Sequence, residues 1–117
     1  MKDFKKLIVW QKSIDLVTAI YRAVEKLPPD EKYALVSQLR RAAVSIPSNI
    51  AEGSAKSTTG HYKMFLEHAL GSSYEVETQL IVVERVYCHL SDHCKDCLER
   101  TREIQRMLIS FIAHLKY

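Results

Sequence analysis

The stretch Gln38-Leu39-Arg40-Arg41-Ala42-Ala43-Val44-Ser45-Ile46-Pro47-Ser48-Asn49-Ile50-Ala51-Glu52-Gly53 decides how this chain is read. With Leu35 just upstream, its apolar residues Leu39, Ala42, Ile46 and Ile50 recur every three or four positions, the spacing of one helix face. Pro47 stands inside that helix. A proline there removes one backbone hydrogen bond and crowds the carbonyl of residue 43, at a cost of ~3 kcal/mol in a plain helix. A second stripe, Arg41, Ser45, Ser48 and Glu52, is equally regular and marks another face of the same helix. The reading is two half-helices joined by a kink, with Ser and Asn side chains satisfying the freed backbone groups. Arg41, Ser45, Ser48, Asn49 and Glu52, joined by Glu75, are expected to form a structural polar network, with Arg41 paired to Glu52. The same face is also available as an interface or ligand surface.

Outward from this block the pattern stays helical. Leu7, Trp10, Ile14, Val17, Tyr21 and Val24 alternate by three and four, which predicts a first helix over about 7–27. Leu27-Pro28-Pro29 stops it. Asp30 and Glu31 suit the first turn of a second helix, about 30–55. Gly53 and the small polar run to Gly60 end that helix. Thr58 or Thr59 suits the start of a third, about 59–89. Its stripe is Phe65, Ala69, Ser72, Val76, Leu80, Val83 and Tyr87, thin at Ala69, Gly71, Ser72 and Ser73. That thin waist is expected to receive the bulge at Pro47. Ser91 or Asp92 suits the cap of a fourth helix, about 92–116. Its seam is Leu98, Thr101, Gln105, Leu108, Ile112 and Leu115, flanked by Ile104, Met107 and Phe111. Four amphipathic helices with short connections predict an all-α fold: an antiparallel up-and-down four-helix bundle with a proline-kinked second helix. The chain, 1–117, reads as a single domain. Apolar residues off the main seams, such as Ile8, Val9, Leu16, Val82, Val86, Met107 and Ile109, point to a second buried surface and so to a homo-oligomer.

Composition narrows the function classes. Apolar content of 47 % with 26 % charged residues is that of a soluble globular protein. No apolar run approaches a membrane span. No apolar core follows the basic start, so a signal peptide is not expected. Three clustered cysteines are no disulfide framework and fit a reducing, cytoplasmic location. The net charge of +3 is mild, compatible with nucleic acid without the charge density of a dedicated binder.

Little in the chain resembles catalytic machinery. There is no Gly-x-Ser-x-Gly, no phosphate-binding glycine loop and no His-Glu-x-x-His. The Glu-x-x-His repeats of a di-iron bundle are missing, and Glu67-His68 reads as a solvated helix face. A non-enzyme without cofactor is therefore expected. Cys88, His89, His93, Cys94 and Cys97 pack five potential metal ligands into one interhelical turn. No second Cys/His pair exists elsewhere to complete a structural zinc site, so no metal is assigned. The remaining chemistry is basic. Lys2, Lys5, Lys6 and Lys12 crowd the N-terminal segment, and Arg40, Arg41, Lys56 and Lys63 lie in and after the second helix. Arg100, Arg102 and Arg106 are interleaved with Glu99 and Glu103, which favours ion pairs within the helix. The candidate phosphate contacts are therefore Lys5, Lys6, Lys12, Arg40, Lys56 and Lys63.

The sequence resembles the 23S rRNA intervening-sequence family of four-helix-bundle proteins. Its matching residues are Phe4, Leu7-x-Val9-Trp10-Gln11-Lys12, Tyr21, Pro29, Glu31-x-Tyr33-x-Leu35 and the whole block Gln38–Gly53. Phe65-Leu66, Ala69-x-Gly71-Ser72 and Glu75-x-Glu77-Thr78-Gln79-Leu80 follow. The Cys/His turn is not part of that pattern. The resemblance implies a left-handed bundle that assembles as a homopentameric ring. More distantly, the chain is similar to accessory variability proteins of diversity-generating retroelements, basic pentamers associated with nucleic acid and a reverse transcriptase. The functional expectation is an oligomeric, nucleic-acid-associated scaffold, with RNA the first candidate partner. The alternative is a protein–protein interaction module with no nucleic-acid role.

Overall fold

A computed structural model of the protein describes residues 3–116; Lys2, counted above among the basic residues, lies outside them. The chain forms four helices, α1 (Ile8–Val24), α2 (Ser37–Ser54), α3 (Thr59–Val86) and α4 (Ser91–His114), with no strand among the described residues. They build an antiparallel four-helix bundle measuring 46 × 23 × 20 Å. Each helix packs on its sequence neighbours, and α1 closes the square against α4. Cross-helix pairs fix the directions: Tyr21 with Arg40, Ser45 with Ser72, Ser73 with Gln105, Lys12 with Glu103. One end of the bundle carries the start of α1, the α2–α3 turn and the end of α4. The other carries the α1–α2 and α3–α4 connections.

Local sequence explains the boundaries. A 3-10 turn at Phe4–Lys6 precedes α1, and Asp3 accepts a hydrogen bond from the Lys5 amide at its start. Helix α1 stops at Val24, shorter than its periodicity implies, because Pro28 and Pro29 force extended backbone ahead of them. Pro29–Glu31 is a 3-10 turn, followed by a π-helical turn at Lys32–Val36 that runs into α2. Thr58 is the cap of α3, its hydroxyl accepting from the His61 amide. Neither Ser91 nor Asp92 caps α4; a 3-10 turn at Cys88–Leu90 leads into it instead.

Pro47 lies buried inside α2, where the helix kinks as expected. The Asn49 amide donates to the Ser45 carbonyl at 2.8 Å and to the Ser45 hydroxyl at 2.9 Å. It therefore reaches a carbonyl before the proline, not the one at residue 43 that the proline releases. Gly53 is no left-handed cap either, since no described glycine has positive φ. It permits close approach: a Cβ there would stand 2.9 Å from the Phe65 Cβ and 3.0 Å from Tyr62 Cδ1 on α3.

The core corrects two seams. On α1 the buried residues are Val9, Ser13, Leu16, Ile20 and Val24, whereas Ile14 and Tyr21 of the expected stripe are exposed. On α3 they are Tyr62, Leu66, Ala69, Ser73, Val76, Leu80 and Val83, so Leu66 and Ser73 replace Phe65 and Ser72. Gly71 contributes nothing to the helix contact, with no atom within 4 Å of where its Cβ would stand. The seam read for α4 holds at Leu98, Thr101, Gln105 and Leu108. One rule explains the misplaced seams. Ser13, Ser54, Ser73 and Thr101 are buried hydroxyls, and each donates to a carbonyl of its own helix, at Trp10, Ala51, Leu70 and Cys97. Such a side chain enters the core with its polar atom already satisfied.

Candidate nucleic-acid interface

The structure divides the six candidate phosphate contacts. Lys5 and Lys6 sit on the turn before α1, both exposed. That turn is held down by Gln11, whose side-chain amide donates to the Lys5 carbonyl at 2.9 Å, and by the Phe4 ring edge-on to Trp10. Lys56 follows α2 at the same end of the bundle, its ammonium 4.8 Å from the centre of the Phe65 ring. Lys63 lies at the start of α3, half-buried and already engaged. Lys12 is tied to Glu103 of α4 at 3.1 Å. Arg40 is elsewhere: it stacks on Tyr21 at 4.8 Å near the opposite end. The helix rise places it about 24 Å from Lys56 along α2. Lys5, Lys6 and Lys56 thus share one end, and none of the three has an ion pair among the described residues. The sequence alone did not separate these groups, because helix direction in the bundle decides which lysines meet.

The proposed polar network is only partly drawn together. Ser45, Ser72 and Asn49 form a hydrogen-bonded triad, the two hydroxyls 2.8 Å apart. Arg41 and Glu75 line the same recess, without an ion pair between them among the described residues. Ser48 and Glu52 are exposed. The expected Arg41–Glu52 pair is not formed; the two stand roughly 16 Å apart along the helix axis.

A different polar clamp joins α3 to α4. Glu77 accepts from Gln105 Nε2 and from Arg102 Nε, both at 2.9 Å, and Gln105 also reaches the Ser73 carbonyl. The Gln105 bond first, and the Arg102 bond next, hold the Glu77 carboxyl below the usual glutamate range. Arg102 therefore pairs between helices rather than within α4, and Glu103 is likewise drawn off to Lys12. Among the described residues only Arg100 of the three arginines keeps an intrahelical ion pair, with Asp96 at 2.9 Å. At the far end the Tyr87 hydroxyl donates to Glu31, linking the two connections there.

The five Cys and His residues of the turn do not converge. Cys94 and Cys97 are buried, while Cys88, His89 and His93 are exposed. Burial, assisted by Asp96, pushes the Cys97 thiol up to about 11, and burial also raises that of Cys94. Metal ligation needs the thiolate, which this environment disfavours. Among the described residues no three His, Cys, Asp or Glu side chains are placed to hold a metal ion. No described helix is long and apolar enough to cross a membrane.

These features define a small all-α bundle whose polar chemistry is a set of inter-helix clamps and unpaired surface cations. The chain belongs to the 23S rRNA-intervening sequence protein family, whose model matches residues 5–110. A crystal structure of a protein of unknown function from the S23 ribosomal protein family of Bacteroides thetaiotaomicron superposes with a TM-score of 0.80. The two share 23 % identity, over 90 % of this chain and 98 % of the other. At that identity the likeness speaks for the fold alone. No curated protein matches the chain.

Proposed function

We propose that the protein is a non-enzymatic, cytoplasmic scaffold that binds RNA through phosphate contacts and acts as a homo-oligomer. The observation that carries this reading is the set Lys5, Lys6 and Lys56: exposed, gathered at one end of the bundle, and with no side-chain ion pair among the described residues. The Lys5–Lys6 turn is anchored by Gln11, so it presents these cations on ordered backbone. One protomer offers few charges. Several copies in a ring, five by family resemblance, would multiply them by avidity without a stronger individual site. Apolar side chains left in solvent, such as Val86 at 61 %, Ile8 at 59 % and Ile109 at 50 % exposure, favour contacts between copies.

Light-scattering mass and RNA titration at two salt concentrations test the reading. A ring-sized mass is expected, with RNA affinity that falls steeply as salt rises, in proportion to the phosphates neutralised. Replacing Lys5, Lys6 and Lys56 together by Gln should weaken binding uniformly across RNA sequences and flatten the salt dependence. A ring that ignores RNA at both salts would leave a protein-interaction module as the better reading.

A further inference from the structure

The groove between the C-terminal half of α1 and the entry to α2 holds a second group of unpaired cations, and these are interleaved with aromatic rings. Tyr21, Lys32, Tyr33, Arg40 and Arg41 line it. No acidic side chain lines the groove, and neither Lys32, Arg40 nor Arg41 has an ion pair among the described residues. The Arg40 guanidinium lies on the Tyr21 ring at 4.8 Å, and its Nε is buried with no acceptor. The Lys32 ammonium sits 5.4 Å from the Tyr33 ring centre. Tyr33 itself is 87 % exposed, the most exposed large hydrophobic side chain described. It projects from the π-helical turn at Lys32–Val36. An aromatic residue so placed contributes nothing to the core; with Lys32 over one face, its other face is open to solvent in a groove that holds three cations.

Charge and shape select the occupant. Three unbalanced cations call for an anion, and a free ring face calls for a flat apolar group. Unpaired nucleotides supply both together, which a duplex with its bases stacked inward does not. We infer that this groove binds single-stranded nucleic acid, a base stacking on Tyr33 while Arg40 and Arg41 meet the adjoining phosphates, an inference that rests on the nucleic-acid function proposed above. The groove lies at the opposite end of the bundle from Lys5, Lys6 and Lys56. It would therefore set the preference for unpaired strands, with the lysine end supplying sequence-blind attraction.

The test is fluorescence anisotropy with a labelled single-stranded oligouridylate and an RNA duplex of equal length, across a salt series. Tyr33→Ala should weaken single-strand binding roughly 5- to 150-fold while leaving duplex binding and the salt slope unchanged, because no charge is lost. Tyr33→Phe should retain the parent affinity. Arg40→Gln should lower the slope by about 0.7, the value for one phosphate contact on a single strand. Tyr33→Ala binding the single strand as tightly as the parent, while the triple lysine variant binds weakly, would overturn the groove and spare the lysine end. A parent protein that binds neither RNA even at low salt would overturn both. Equal competition by a polyglutamate peptide, lost on Tyr33→Ala, would assign the groove to acidic protein and overturn the base-stacking inference. A light-scattering mass changed by Tyr33→Ala at unchanged RNA affinity would assign it to contact between copies, with the same consequence.

Discussion

Gly53 of α2 lies so close to Phe65 of α3 that a Cβ on residue 53 would stand 2.9 Å from the Phe65 Cβ. Neither atom can swing away, because both are tied to helical backbone, so any side chain at 53 must push the helices apart. Gly53→Ala should therefore destabilise the bundle by ~1–3 kcal/mol, as overpacking does, despite the better helix propensity of alanine. Gly71 is the internal control. Open space surrounds its missing Cβ, so Gly71→Ala should stabilise by about 0.5–1 kcal/mol. Urea midpoints of the two variants should move in opposite directions; midpoints that move together would refute the packing account.

The Ser45–Ser72 contact separates two ideas about the polar face of α2. Ser45 bonds Ser72 across the helix interface and accepts from Asn49, so Ser45→Ala deprives two partners and should cost ~1 kcal/mol. Arg41 is exposed and holds no ion pair with Glu52 or Glu75. Arg41→Ala should stay within about 0.5 kcal/mol of the parent, as unpaired surface substitutions do. Chemical denaturation reads both. An Arg41→Ala loss as large as that of Ser45→Ala would show that the arginine is part of the clamp after all.

The element count, the kink at Pro47 and the seam of α4 were legible because apolar spacing and a proline are strong local signals. The seams of α1 and α3 were not. On α1 two stripes run one residue apart, Trp10-Ile14-Val17-Tyr21 and Val9-Ser13-Leu16-Ile20, and the buried one contains a serine. Ser13 looks like a surface residue until its bond to the Trp10 carbonyl is seen. Ser73 misled the reading of α3 in the same way. The expected Arg41–Glu52 pair is not formed for a different reason. Arg41 and Glu52 share a stripe, but i to i+11 is three turns, too far for a side-chain pair. Glu77, Arg102 and Gln105 meet only because α3 and α4 run antiparallel in one particular register, which no single helix encodes.

Thiol chemistry should follow burial rather than sequence clustering. Cys88 is exposed, whereas Cys94 and Cys97 are buried with thiols raised by loss of hydration. Native protein treated with a thiol-reactive reagent near neutral pH should modify Cys88 first and leave the other two until denaturant is added. Mass spectrometry of the labelled peptides checks this. Comparable native labelling of Cys94 and Cys97 would mean that the start of α4 opens readily, and would weaken the case for a packed core beneath it.

Acid should loosen the bundle through Glu77. Its carboxyl is held below the ordinary range by the bonds from Gln105 and Arg102. The unfolded chain therefore takes up this proton at a higher pH than the folded one. The stabilisation is complete above the usual glutamate value, about 4.3, and is lost as pH falls through the lower folded value. Glu77→Gln removes the titrating group. It should lower stability near neutral pH, where the Arg102 contact loses its charge, and flatten the acid limb of the stability curve. Gln105→Ala should act in the same direction by a different route, bringing the carboxyl back toward its ordinary value while Arg102 still pairs with it. Urea midpoints across the acid range, for the parent and both variants, distinguish this clamp from the exposed carboxylates, whose replacement should leave the acid limb in place. If the Glu77→Gln curve kept the slope of the parent, acid sensitivity would belong to other groups and the α3–α4 clamp would be a weak one.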